Sequence, residues 1–260
     1  MINLIMVHNF DPTFIDFGVI QIRWYSLAYI LGILIGWWYG KFLIKKQIVG
    51  NNQLDYFKKF DDLIGYIILG IIVGGRIGYI VFYNPIFYLE NPLEIIKLWN
   101  GGMSFHGGLL GVIFTIYFFS KKNKLNYNLY FDTISCVAPI GIFFGRVANF
   151  INGELYGLPT NKPWGVVFPK VDSLVRHPSQ IYEAFLEGII LFLILNIALL
   201  KKNLKRGYIS FLFLSLYGIF RIISEQFREP DDQIGYLFGN ISIGSLLSIL
   251  MIIFSILFLS

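Results

Sequence analysis

Four segments gather the side chains of this 260-residue chain that are able to do chemistry. They are Gly101-Gly-Met-Ser-Phe-His106-Gly-Gly108, then Gly145-Arg146-Val-Ala-Asn149-Phe-Ile-Asn-Gly153-Glu154-Leu-Tyr-Gly157, Arg176-His-Pro-Ser-Gln-Ile-Tyr-Glu183, and Tyr217-Gly-Ile-Phe-Arg221-Ile-Ile-Ser-Glu225-Gln-Phe-Arg228-Glu-Pro-Asp. Imidazole titrates near neutral pH, so His106 is the natural proton acceptor among them. A guanidinium is a planar, permanently charged fork that matches phosphate oxygens, which makes Arg146 and Arg221 candidate anion binders. In a water-poor site their stabilisation of developing negative charge exceeds that in bulk water. On a helix Arg146 and Asn149 share a face at i, i+3, and Tyr217, Arg221 and Glu225 do so at steps of four. An Arg221–Glu225 pair serves equally well as structural glue. The glycine-rich turn at His106 can present backbone N–H groups to an anion at a helix start, or the histidine can simply order that turn.

The elements that must position these residues follow from composition. The chain is 56% hydrophobic, 18% aromatic and only 14% charged, against about 25% charged in an ordinary soluble domain. That excludes a disordered tail protein, a coiled coil and, with one cysteine, a disulfide-rich scaffold. Cys136 reads as a small buried hydrophobe. The net charge of +5 is not a nucleic-acid signature, because the basic residues sit in short clusters between apolar runs. A membrane-crossing helix needs about 20 mostly apolar residues. Seven segments qualify: Trp24 to Ile44, Leu63 to Tyr83, Met103 to Ser120, Phe131 to Phe150, Gln180 to Leu200, Tyr208 to Glu225 and Gly239 to Ser260. The expected fold is therefore an all-α polytopic membrane protein, a single domain over residues 1–260. The N-terminal stretch lacks a basic n-region and is not expected to be a signal peptide.

Lys and Arg set the orientation. Twelve lie in the links after the first, third and fifth spans, and six on the other side (Arg23, Lys97, Lys162, Lys170, Arg176 and Arg228). This places the N-terminus outside and the C-terminus in the cytoplasm. The remaining Arg76, Arg146 and Arg221, with His106, Glu183, Glu187 and Glu225, fall within spans on the outward half of the bilayer. Ions in hydrocarbon must face protein or water, so a polar pocket opening outward is expected, with snorkelling to the interface as the alternative for any single arginine. Gly32, Gly36 and Gly40, and Gly70, Gly74 and Gly78, form stripes that let helices approach closely.

The ordered motifs resemble the prolipoprotein diacylglyceryl transferase family. Residues Gly145 to Gly157 match its Gly-Arg-x-x-Asn-Phe-Ile-Asn-Gly-Glu signature, with the small Ala148 where a second glycine is common, and the likeness runs from Trp24-Tyr25 to the Arg-Glu-Pro-Asp stretch. The resemblance implies transfer of the diacylglyceryl group of phosphatidylglycerol to the lipobox cysteine thiol of a prolipoprotein, with loss of glycerol phosphate, at the extracytoplasmic side of a bacterial inner membrane beneath a small cap. It implies His106, Arg146, Arg221, Glu154 and Tyr217 as catalytic groups, and Arg146, Asn149, Tyr25, Glu225, Gly107 and Gly157 as substrate contacts. Arg76 is expected to pair with one of the glutamates. The nucleophile belongs to the substrate, and a thiolate is the reactive form. Metal-ligand spacing and a nucleotide loop are lacking, so no cofactor is expected. A transporter for an anionic lipid or metabolite is the alternative from another class; an odd span count and no evident inverted repeat speak against it.

Overall fold

The computed structural model describes residues 5–18, 21–47, 53–201, 204–230, 236–237 and 241–259. Gly239, Asn240 and Ser260 of the seventh expected span, Lys202 of the basic links and Asp231 of the fourth motif lie outside them. The principal helices are α1 (Trp24–Gln47), α2 (Gln53–Tyr83), α3 (Pro85–Glu90), α4 (Phe105–Lys122), α5 (Tyr127–Asn152), α6 (Ser179–Glu183), α7 (Leu191–Leu199), α8 (Tyr208–Glu225) and α9 (Ile243–Leu259). A π-helical turn, Ala184–Ile190, joins α6 to α7. Strands are short: β1 (Met6–Val7), β2 (Thr13–Asp16), β3 (Gln21–Arg23), β4 (Val166–Val167), β5 (Val175–Arg176), β6 (Tyr236–Leu237) and β7 (Ile241–Ser242). The chain falls into two compact units, one of residues 1–40 and 134–260 and one of residues 41–133.

Among the described residues, five helices are long and apolar enough to cross a membrane: Trp24–Gln47, Leu54–Tyr83, Tyr127–Asn152, Ser179–Leu199 and Tyr208–Glu225. The all-α, polytopic membrane class expected from composition holds. The third and seventh expected spans are helices too, but α4 has 18 residues and closes on Lys121 and Lys122, and α9 has 17 residues. At about 1.5 Å rise per residue α9 is the shortest of the seven, and α4 equals α8 in length.

In the second unit the glycine stripe of α2 meets α4 at backbone contact. A Cβ on Gly74 would lie 2.3 Å from the Gly107 carbonyl oxygen, and one on Gly111 would lie 2.0 Å from the Gly70 oxygen. Such proximity is open only to glycine, and it replaces the apolar driving force that hydrocarbon does not supply. The opposite face of α2 carries Leu69, Val73, Ile77 and Val81, each more than half exposed. An apolar stripe turned outward beside a glycine stripe turned inward is the arrangement of a helix solvated by lipid.

Arg76 of α2 is buried. Its guanidinium donates to the backbone carbonyls of Glu94 (2.6 Å), Ile95 (2.9 Å), Gly101, Gly102 (3.1 Å) and Lys97 (3.3 Å). The expected pairing with a glutamate side chain is thus corrected: the fork satisfies a turn of carbonyls leading to α4. The physical reason is local, since Gly101 and Gly102 take φ of +79° and +81°, which aims their carbonyls inward at a span that ends in a cation.

In the first unit a small cap is built from β1, β4 and β5 in the order β1-β4-β5, β1 parallel to β4 and β4 antiparallel to β5. Bridges Gly157↔Arg228 and Pro159↔Arg176 extend it. The helices of this unit pack through the same device as α2 and α4. A Cβ on Gly188 in the π turn would stand 2.8 Å from Phe143 Cβ of α5, and one on Gly218 of α8 would stand 2.9 Å from the Ser248 oxygen of α9.

Candidate active site

The Asn149-to-Glu154 stretch shows how sequence makes the site. Gly153 sits at φ +71°, the left-handed conformation that closes a helix. Its N–H donates to the Phe150 carbonyl at 3.0 Å and the Glu154 N–H to the Asn149 carbonyl at 3.1 Å, the paired bonds of a Schellman ending. That turn folds the Glu154 side chain back over the last turn of α5, where its Oε1 accepts from Asn149 Nδ2 at 2.8 Å and from Asn152 Nδ2 at 3.4 Å. Asn149 Nδ2 also donates to the Tyr25 hydroxyl of α1 at 3.1 Å. Ala148 is buried beside them at 2% exposure, so a small residue is what this position requires.

One helical turn earlier, Arg146 opens a second and larger cluster. Its Nη1 lies 3.0 Å from Glu183 Oε2 and its Nη2 3.1 Å from Glu187 Oε2. Arg221 of α8 reaches Glu183 Oε1 at 2.6 Å, Glu187 Oε1 at 3.6 Å and Glu225 Oε2 at 2.8 Å. Arg228, just past the end of α8, stands 3.5 Å from Glu183 Oε1. Glu183 and Glu187 are fully buried. Three guanidinium groups thus meet three carboxylates in one buried network, formally neutral, which is the condition under which ions persist away from water. The π turn contributes directly: Glu187 immediately precedes Gly188, where the turn comes close to Phe143 of α5, and wide turns of this kind recur at functional sites.

The network is not saturated. Among the described residues, Gln180 Oε1 and Asn152 Oδ1 are buried acceptors that receive no hydrogen bond, while Glu183 Oε2, Glu187 Oε1 and Glu225 Oε2 are held by ion-pair proximity to Arg146 and Arg221 without hydrogen-bonding geometry. Buried acceptors are normally satisfied. A cluster of charged forks beside carboxylate and amide oxygens is chemically suited to a ligand that brings both an anion and O–H donors.

The expected residues fall into distinct groups. Arg146, Arg221 and Glu225 join in the ion network, and Tyr217 is buried on α8 at 3% exposure. Tyr25, Asn149 and Glu154 form the adjoining hydrogen-bonded set. Gly157 is a packing position: a Cβ there would lie 2.4 Å from the Phe227 oxygen and 2.5 Å from the His177 oxygen. His106 and Gly107 belong to the second unit, at the start of α4. Ser104 caps that helix, its Oγ accepting from the Gly107 N–H at 3.3 Å. The Gly107 amide is therefore engaged within the chain, and its missing side chain admits Gly74.

Arg228 and Arg176, counted from sequence with the loop charges that set topology, are both buried at 7% exposure. Arg228 enters the ion network. Arg176 binds Asp172, Glu229 Oε2 at 2.8 Å and the Gly157 carbonyl at 3.0 Å. The Glu225-to-Arg228 spacing was the available signal, but the helix ends at Glu225 and helical periodicity does not carry across that end.

Outside the spans, the Arg176 hydrogen bonds lower the Asp172 pKa below its ordinary value, and burial, aided by the Lys162 charge, lowers that of His177. Both folded-state values lie beneath the unfolded ones, so both contributions to stability are present at higher pH and lost as pH falls. The His177 contribution begins to fade below about 6.5 and that of Asp172 below about 3.9. Hydrogen exchange of the cap amides should accordingly speed up as pH is lowered from 7 to 5 after correction for intrinsic rates, and a His177→Gln variant should flatten that dependence. A cap equally protected across this range in the parent chain would contradict it.

The family model described as prolipoprotein diacylglyceryl transferase matches residues 12–260. The chain is 50% identical over 253 residues to the phosphatidylglycerol–prolipoprotein diacylglyceryl transferase of Rickettsia bellii (strain OSU 85-389), covering 95% of this chain and 94% of that protein. It is 49% identical over 250 residues to the protein of the same name from Rickettsia canadensis (strain McKiel), with 94% of each chain covered. With all four motif segments inside the matched region, the chain belongs to the prolipoprotein diacylglyceryl transferase family.

Proposed function

We propose that this protein transfers the diacylglyceryl group of phosphatidylglycerol to the thiol of a prolipoprotein's lipobox cysteine, the first step of bacterial lipoprotein maturation. The buried network of three arginines and three glutamates carries this reading. Phosphatidylglycerol offers one phosphodiester charge and two hydroxyls on its head group, and the network offers guanidinium forks and carboxylate oxygens for each. Arg146 and Arg221 hold the phosphate. Asn149, Glu154 and Glu225 orient the hydroxyls and the arginines, with Tyr25 and Tyr217 adding polar tips.

In the reaction the cysteine thiolate attacks the glycerol carbon that bears the phosphate. A C–S bond forms, the C–O bond breaks, and the electron pair leaves with the phosphate oxygen of glycerol phosphate. Charge grows on that oxygen, where guanidinium groups already fixed by carboxylates stabilise it without reorganising. The thiol proton passes to His106, whose role rests on imidazole chemistry.

The chain acts as a single transferase domain in the bacterial cytoplasmic membrane. The five long apolar helices, joined by α4 and α9, make seven spans with the N-terminus outside. The excess of Lys and Arg in alternate links supports this, and it turns the active site to the extracytoplasmic side. Purified protein given phosphatidylglycerol and a lipobox peptide should form a diacylglyceryl thioether, read as a peptide mass increase, together with free glycerol phosphate. His106→Gln should lower kcat by about a hundredfold and remove the acid limb of the pH–rate profile. A folded sample that yields no thioether, or one that carries labelled lipid or metabolite across liposomes without product, would overturn the reading.

A further inference from the structure

Three cap segments converge on one guanidinium that lies outside the ion network. Arg176 donates to the Gly157 carbonyl at 3.0 Å and to Glu229 Oε2 at 2.8 Å, and pairs with Asp172. Its guanidinium carbon stands 4.9 Å from the centre of the Tyr156 ring. Around it the backbones are laced together: Gly157 N–H to the His177 carbonyl at 2.9 Å, Leu158 N–H to the Phe227 carbonyl at 2.9 Å, and Glu229 N–H to the Tyr156 carbonyl at 3.1 Å.

Each laced segment leads to a residue of the site. Residues 156–158 follow Glu154. Residues 176–178 precede Gln180, whose Nε2 donates to the Glu154 carbonyl at 2.7 Å, and Glu183. Glu229 adjoins Arg228, whose guanidinium faces Glu183 at 3.5 Å. Arg176 is buried, and no single partner explains three sets of donors used at once; a lysine offers a point charge where this geometry uses a fork.

We infer that Arg176 is a positioning residue for lipid binding: by clasping Gly157, Glu229 and Asp172 it fixes Arg228 and Glu154 where they meet the phosphatidylglycerol head group. The inference rests on the transferase reading. The Asp172 arm is local, four residues before Arg176 on the same segment, and is the dispensable one, while the Gly157 and Glu229 arms reach other segments and transmit position.

The test is steady-state transfer by the full-length protein, with lipid and peptide varied separately. Arg176→Met keeps the stem against Tyr156 and removes every donor; its KM for phosphatidylglycerol should rise fivefold or more while KM for the lipobox peptide stays within twofold. Arg176→Lys should recover part of that loss. Asp172→Asn should leave both constants within twofold. Should the methionine variant fail to fold, Glu229→Gln supplies the same readout and should also raise the lipid KM. Unchanged lipid KM with only kcat reduced, equal rises in both KM values, or an Asp172→Asn effect as large as that of Arg176→Met would each overturn the clasp. Absence of thioether from the parent protein would instead count against the transferase reading itself.

Discussion

Replacing Arg146 by alanine should reduce the rate of thioether formation by about 10³-fold, or about 4 kcal/mol of transition-state stabilisation. The magnitude follows from two losses at one position. The leaving phosphate loses a charged fork in a site where 16% exposure of the side chain admits little water. Two fully buried carboxylates, Glu183 and Glu187, lose a cation that balances them, which adds negative charge where the substrate anion must bind. Arg146→Lys restores the charge but not the paired N–H geometry with Glu183 and Glu187, so its rate should fall between the two. Initial rates at saturating peptide, with folding checked by elution volume and helical circular dichroism, measure the effect. An alanine variant within tenfold of the parent would remove Arg146 from the reaction.

Glu183→Ala should be the most damaging change to stability in the first unit. Glu183 is the carboxylate that three guanidinium groups share, at 3.0 Å, 2.6 Å and 3.5 Å from Arg146, Arg221 and Arg228, and it is fully buried. Removing one member of a buried ion network strands the others, at a cost of about 3–5 kcal/mol. With Glu187 and Glu225 left against three arginines, the cluster gains net positive charge in a medium that solvates it poorly. Glu183→Gln keeps an acceptor for Arg221 and should lose less. Thermal unfolding in detergent resolves the series, and a Glu183→Ala midpoint equal to that of the parent would mean the pairing contributes nothing to stability.

How far the sequence disclosed this arrangement depends on which forces left periodic marks. The Arg221–Glu225 pair and the shared face of Arg146 and Asn149 were legible because α-helical spacing dictates them, and both residues of each pair act at neighbouring points of one site. The glycine stripe of α2 was legible as a packing face for the same reason, though not its partner helix. Glu183 and Glu187 stood out as ions in a span, but their partners did not, since a contact between α5, the π turn and α8 is set by tertiary packing at Gly188 and Phe143. Arg76 was misread because a cation in a span suggests a carboxylate, whereas the inward-turned carbonyls of Gly101 and Gly102 supply enough acceptors. Arg228 and Arg176 count from sequence only as loop charges that set topology, because loop sequence carries no period by which burial is foretold. In each case local geometry was readable and long-range convergence was not.

The central claim is that the arginine–glutamate network receives the phosphoglycerol head group. A structure of the protein bound to phosphatidylglycerol, without peptide, tests this most directly. The account predicts the phosphate oxygens within about 3 Å of guanidinium nitrogens of Arg146 or Arg221, a hydrogen-bonding distance, with head-group hydroxyls donating to carboxylate oxygens of the cluster. A head group bound elsewhere, with the Arg146, Arg221 and Glu183 pairings closed and free of lipid contact, would contradict it.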